Sequence, residues 1–136
     1  MSDQIFSGVS SRVTEGIRVS VRTVYLPGES DPSAGKFVFA YLIRIENETS
    51  AAVQLLSRHW DITDSDGQKR VVDGEGVVGK KPMLLPGEFH EYVSGCDFQT
   101  PIGKMEGYYT FIRLSDNSIF EVEIPPFVMA HPMVNN

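Results

Sequence analysis

Turn-forming residues interrupt this chain so often that no long helix fits between them. Pro27-Gly28, Asp31-Pro32, Asp66-Gly67, the stretch from Gly74 to Gly79, Pro86-Gly87, Ser94-Gly95 and Asp116-Asn117 punctuate the sequence. The intervening segments are rich in Val, Ile, Tyr, Phe and Thr, and none sustains the i, i+3, i+4, i+7 apolar spacing of an amphipathic helix. Strands are predicted over residues 17–26, 36–47, 53–63, 68–73, 83–85, 88–94, 107–115 and 118–124. In the first, Ile17, Val19, Val21, Thr23 and Tyr25 alternate with Arg18, Ser20 and Arg22, the pattern of a half-buried strand. Asp64-Ser65-Asp66-Gly67 reads as the turn of a hairpin. Short strands with turns every eight to twelve residues point to an all-β, two-sheet sandwich of the immunoglobulin or fibronectin type III kind, with about seven or eight antiparallel strands. Trp60 in mid-strand and the Gly107-Tyr108-Tyr109-Thr110-Phe111 segment, which has the form of a tyrosine corner, favour that architecture.

A chain of 136 residues is one domain's worth, so a single unit over 1–136 is expected, with its core about 9–130 and loose ends at residues 1–8 and 130–136. Cys96 is the single cysteine, which excludes an intrachain disulfide. The opening residues lack a secretory signal and the longest apolar run, residues 37–43, is far too short for a membrane span, so a cytoplasmic location and no membrane contact are expected. The formal net charge of −6 argues against nucleic acid as a partner and requires any anion site to be local.

Candidate chemistry is sparse. Gly74-Glu75-Gly76-Val77-Val78-Gly79 spells Gly-x-Gly-x-x-Gly, but Pro82 and Pro86 leave no room for the helix a dinucleotide-binding turn needs. A loop of Gly74, Gly76 and Gly79 with Lys80 and Lys81 could still form an anion-binding nest, against the commoner reading that the glycines supply positive φ in an inter-strand loop. His59 and Asp61 share one strand face and are a weak metal-ligand pair, although exposed His and Asp on a solvated face are commoner. Asp64, Asp66 and Glu75 fit three positions of a calcium loop, but Lys69 stands where glycine is required. About 20 Å of extended strand separates His90 from Cys96, so no nucleophile and base pair is expected there. Cys96 reads as a packed thiol, and Asn47-Glu48-Thr49 is a sequon by letters only. No catalytic set is found. The remaining oddity is apolar surplus: residues 36–47 are apolar on both faces, as are 107–115, whereas a two-layer sandwich buries one. Either the N-terminal segment or a long loop covers the second face, or Phe37, Phe39, Tyr41, Tyr109 and Phe111 contribute to a docking surface for another protein or a second copy of the chain.

Several ordered motifs resemble the bacterial ApaG family: the run from Leu56 to Asp64, Gly74 to Gly79, Leu85-Pro86-Gly87-Glu88, Tyr92 to Cys96, Thr100 to Tyr109, and Glu123-Ile124-Pro125-Pro126-Phe127. The resemblance spans about residues 17–132. Lys80-Lys81 departs from a Glu-Gln-like pair and makes this loop more basic than usual. The resemblance implies a fibronectin-type-III-like sandwich, linked in bacterial genomes with a diadenosine tetraphosphate hydrolase and associated with cobalt resistance and magnesium efflux. In eukaryotes similar domains occur inside F-box and DNA-polymerase-interacting proteins, where protein binding is the suspected role. It supplies no catalytic residues. The resulting expectation is a non-catalytic module binding another protein or itself. The alternative is a pyrophosphate or nucleotide-polyphosphate binder using the glycine loop, with magnesium or cobalt as a conceivable divalent companion.

Overall fold

A computed structural model describes residues 8–135. Nine strands, β1 to β9, run in order over Ser10–Thr14, Ile17–Tyr25, Phe37–Asn47, Val53–Asp64, Lys69–Glu75, Met83–Leu84, Phe89–Phe98, Ile102–Arg113 and Ser118–Ala130. They form two antiparallel sheets: β1-β2-β3-β7, and β5-β4-β8-β9 with β6 also paired to β4. The expected all-β sandwich is what the chain adopts.

The alternation read in 17–26 and 36–47 dictates which face is buried. Ile17, Val19 and Val21 of β2 and Phe37, Phe39, Tyr41, Ile43 and Ile45 of β3 meet Val53, Leu55, Trp60 and Ile62 of β4, Met105, Tyr109 and Phe111 of β8, and Val122, Ile124, Phe127 and Met129 of β9. Trp60 lies edge-on to Tyr41 and Phe127, with ring centroids 5.6 and 5.9 Å away, as the core tryptophan of a sandwich should. The tyrosine-corner reading needs correction in its bonding: the Tyr109 hydroxyl bonds the Tyr92 hydroxyl on the facing sheet, not backbone.

One strand is not among those predicted, and β5, β7, β8 and β9 run beyond their predicted bounds. Strand β1 precedes the first one expected, joined to β2 by a tight turn in which Glu15 (φ 53°) and Gly16 (φ 78°) both take the left-handed conformation. Strand β8 starts at Ile102. Strand β9 continues through Pro125-Pro126, because the β8–β9 register shifts between Met105 and Gly107 and this irregularity absorbs the two prolines on an edge strand.

The two flanks of the sandwich differ. On one, β1 meets β9: Arg12 is ion-paired with Glu123, and the Glu123 amide donates to Thr14 Oγ1. On the other, the edge strands β5 and β7 do not pair, and the Arg70 side chain spans the gap, donating to the Asp97 carbonyl and lying 3.5 Å from Cys96 Sγ.

Candidate functional site

The glycine motif is a strand end followed by a hairpin. Gly74 belongs to β5, paired with Arg58. Val77 and Lys80 exchange both backbone hydrogen bonds (2.8 and 3.0 Å) around Val78 (φ 48°) and Gly79 (φ 74°), a two-residue turn of the primed type. The Gly76 amide donates to Leu56 O at 2.9 Å. The Gly76, Val77 and Lys80 amides are therefore committed to carbonyls and do not converge on a common centre. Val77 is buried and pins the hairpin to the core; Lys81 pairs with Glu75 at 3.5 Å.

Two of the glycines are required by close approach. A Cβ on Gly74 would lie 2.7 Å from Arg58 Cζ, and one on Gly76 would lie 2.3 Å from the Lys80 carbonyl oxygen. Arg58 is half-buried and its Nη1 donates to the carbonyls of Glu75 (3.0 Å) and Gly76 (2.9 Å). The first glycine of the motif is thus the seat of a guanidinium. Arg58 lies in the Leu56 to Asp64 run that carries the family resemblance, but no chemical motif in that run singles it out. The usable signal was the pattern of β4, where a cation falls on the inward-facing side.

His59 and Asp61 do lie together on the outer face of β4, but Asp73 of β5 joins them. His59 Nδ1 is 2.6 Å from Asp73 and Nε2 is 3.1 Å from Asp61, while the ring stacks on Tyr108 at 4.8 Å. Hydrogen bonding to Asp73 raises the imidazole pKa, opposed by desolvation and assisted by Asp61. When protonated, a ring held between two carboxylates donates from both nitrogens and has no lone pair for a metal. Among the described residues no group of three His, Cys, Asp or Glu side chains could hold a metal ion. Burial pushes the Cys96 thiol up to about 11, with Arg70 pulling the other way, so it is a poor nucleophile. Asn47 is buried and donates to Ala51 O and Leu84 O, a structural brace.

The aromatic docking set requires correction. Phe37, Phe39, Tyr41, Tyr109 and Phe111 are all buried between the sheets, because side chains at every second position of β3 and β8 share the inward face. The surplus lies on the other parity. Across the outer face of the four-stranded sheet, Arg18, Glu46 and Phe89 form one row, Ser20, Arg44 and Glu91 the next, and Arg22, Leu42 and Val93 a third. Val93 is 58 % exposed, Phe89 50 % and Val9 52 %. Val9, Ser20, Arg22, Leu42, Arg44 and Glu91 line a groove of about 280 Å³. Arg44 is paired with Glu46 and Glu91 and caps the Phe89 ring at 3.6 Å. Arg22 has no carboxylate partner among the described residues. An N-terminal cover for this face would lie outside those residues.

Two antiparallel sheets face to face, with aromatic side chains between them, place the chain among β-sandwich proteins of the fibronectin kind. Residues 27–113 match the family model described as the ApaG domain. The chain is 51 % identical over 118 residues to Protein ApaG of Thiobacillus denitrificans, covering 87 % of this chain and 92 % of that one. It is 45 % identical over 124 residues to Protein ApaG of Anaeromyxobacter dehalogenans, covering 91 % and 97 %. A crystal structure of a Bordetella pertussis protein described as ApaA superposes with a TM-score of 0.82 at 46 % identity, covering 90 % of this chain and 95 % of that one. The chain belongs to the ApaG family. No helix among the described residues is long and apolar enough to cross a membrane.

Proposed function

We propose that this ApaG-family chain is a non-catalytic binding module that docks a protein partner on the outer face of its four-stranded sheet. The observation carrying the reading is the pairing of Leu42 with Val93 beside Val9 and an Arg22 that has no carboxylate partner among the described residues. Side chains of this class each contribute about 1.5–3 kcal/mol when fully removed from water, so the exposed apolar row is worth covering. The partner offers an apolar side chain to the groove and a carboxylate to Arg22. A stable contact buries roughly 800 Å² on each side, which requires the partner to span several strands of this face.

Val93→Glu and Arg22→Glu test the reading, since both positions are on the outer face and neither enters the core. Wild-type and variant chains are immobilised, proteins captured from the native lysate are identified by mass spectrometry, and the purified partner is titrated calorimetrically. The expected result is at least about tenfold weaker binding for each variant. Equal affinity of both variants and wild type for that partner, or no saturable partner at all, refutes the docking face.

A further inference from the structure

The open flank between β5 and β7 holds a group of donors that the docking face does not use. Gly74, Arg58 and Tyr109 form one row across β5, β4 and β8, all on the inward side, and Tyr92 and His90 enter from the facing sheet on β7. Lys80 stands on the hairpin whose Gly76 carbonyl anchors Arg58. Arg58 spends both Nη1 hydrogens on carbonyls; of the five N–H donors of a guanidinium, 5 − 2 = 3 have no protein acceptor among the described residues. Neither Arg58 nor Lys80 has a carboxylate within pairing distance there, and the nearby Glu75 carboxylate is taken by Lys81.

The hydroxyls of Tyr92 and Tyr109 share one hydrogen bond, so one of the two O–H groups remains able to donate. The His90 ring stacks beside Tyr92 with centroids 6.3 Å apart. A half-buried place furnished with guanidinium, ammonium, imidazole and phenol donors, whose neighbouring carboxylate, Glu75, is taken by Lys81, is unusual in a chain of net charge −6. It lacks the negative charge that would complete it.

We propose that this flank is a binding site for a small free oxyanion of the phosphate or pyrophosphate class, held by Arg58 and Lys80 and completed by Tyr92 and His90. Arg58 is fixed by Glu75 and Gly76 with its Nε–H and Nη2 donors unspent, which suits bidentate recognition of a tetrahedral oxyanion. The glycine motif contributes by seating the arginine, and its own amides remain in the hairpin. His90 lies within the electrostatic reach of Lys80: burial first, and the charge of Lys80 second, hold its pKa below the usual value. The site stands independently of the docking face, which lies on the outer surface.

Sodium phosphate and sodium pyrophosphate are titrated into the full chain at constant ionic strength, with sodium chloride as the control, following the His90 ring and the Arg58 Nε–H signals by NMR. The expected result is a saturable shift of both with a Kd of about 1 mM or tighter, about tenfold weaker in Arg58→Gln and weakened in Lys80→Ala. Lys80→Ala and Tyr92→Phe keep the test decisive if Arg58→Gln fails to fold. Three outcomes overturn the proposal: shifts that chloride reproduces, affinity unchanged in Lys80→Ala and Tyr92→Phe, or a response confined to the amides of Gly76 to Gly79 with His90 still.

Discussion

Replacing Gly74 by Ala isolates the seating of Arg58. The added Cβ would lie 2.7 Å from Cζ and Nη2 and 2.8 Å from Nη1, so the guanidinium must swing out and give up its bonds to the Glu75 and Gly76 carbonyls. Hydrogen bonds from a charged donor are worth about 1.5 kcal/mol each at the low end, which suits a half-exposed group, giving a loss of about 3 kcal/mol. Against this, Gly74 sits in extended backbone, where Ala gains about 0.5–1 kcal/mol through the smaller entropy of its unfolded chain. The net destabilisation is about 2 kcal/mol. With an unfolding entropy of roughly 2.1 cal/mol/K per residue over this chain, that lowers Tm by about 7 °C. In an Arg58→Ala background the obstructing group is gone and Gly74→Ala becomes mildly stabilising. Thermal and urea unfolding of the four proteins of this cycle measures the coupling, expected at about 2–3 kcal/mol. Additive effects, or a Gly74→Ala that lowers stability equally in both backgrounds, would refute the seating role.

Gly107→Ala is expected to be more damaging, above about 3 kcal/mol, because its Cβ would lie 2.0 Å from the backbone oxygen of His59, and a strand cannot step aside as a side chain can; urea unfolding measures it. His59 has a folded-state pKa raised above its unfolded value, chiefly by Asp73, so its contribution is fully present below about pH 6.5 and fades as pH rises through the raised value. Asp73→Asn should therefore lower Tm more at pH 6 than at pH 9, and an equal loss at both would contradict the ion pair. Cys96, with its thiol pushed up to about 11, should react with a disulfide reagent at pH 8 far more slowly in the native chain than in urea, as monitored by absorbance.

Where apolar and polar residues alternate cleanly, the pattern alone placed the elements: β2 and β3 occupy nearly their predicted spans, and their inward sets form the core. Strand β1 carried no such signal because Ser10–Thr14 buries little of itself and is held by Arg12 and Thr14 reaching to Glu123. Pro125-Pro126 read as a terminator because a proline cannot donate to a ladder, and only the opposed irregularity in β8, 20 residues away in sequence, reveals that it need not. Sidedness was the deeper difficulty. Phe37, Phe39 and Tyr41 looked like surplus because both parities of β3 are apolar, and nothing local says which parity faces the second sheet. The glycine motif misled in a similar way. Its spacing suggests amides gathered on a phosphate, whereas Gly74 answers to Arg58, sixteen residues earlier, and Gly76 to the closure of its own hairpin.

The sandwich is stitched along β1 and β9 and gapes along β5 and β7, and this lopsidedness decides where the molecule comes apart first. Strand β5, exposed along almost its whole length, hangs on its ladder to β4 and the tethers of Arg58 and Arg70. Peeling it back uncovers the neighbourhood of Trp60, the chain's single tryptophan and the cross-strand neighbour of Val72, while the far seam stays zipped. Indole emission should therefore redden on warming before the amides of β2 and β9 begin to exchange, making that one ring a built-in gauge of partial opening.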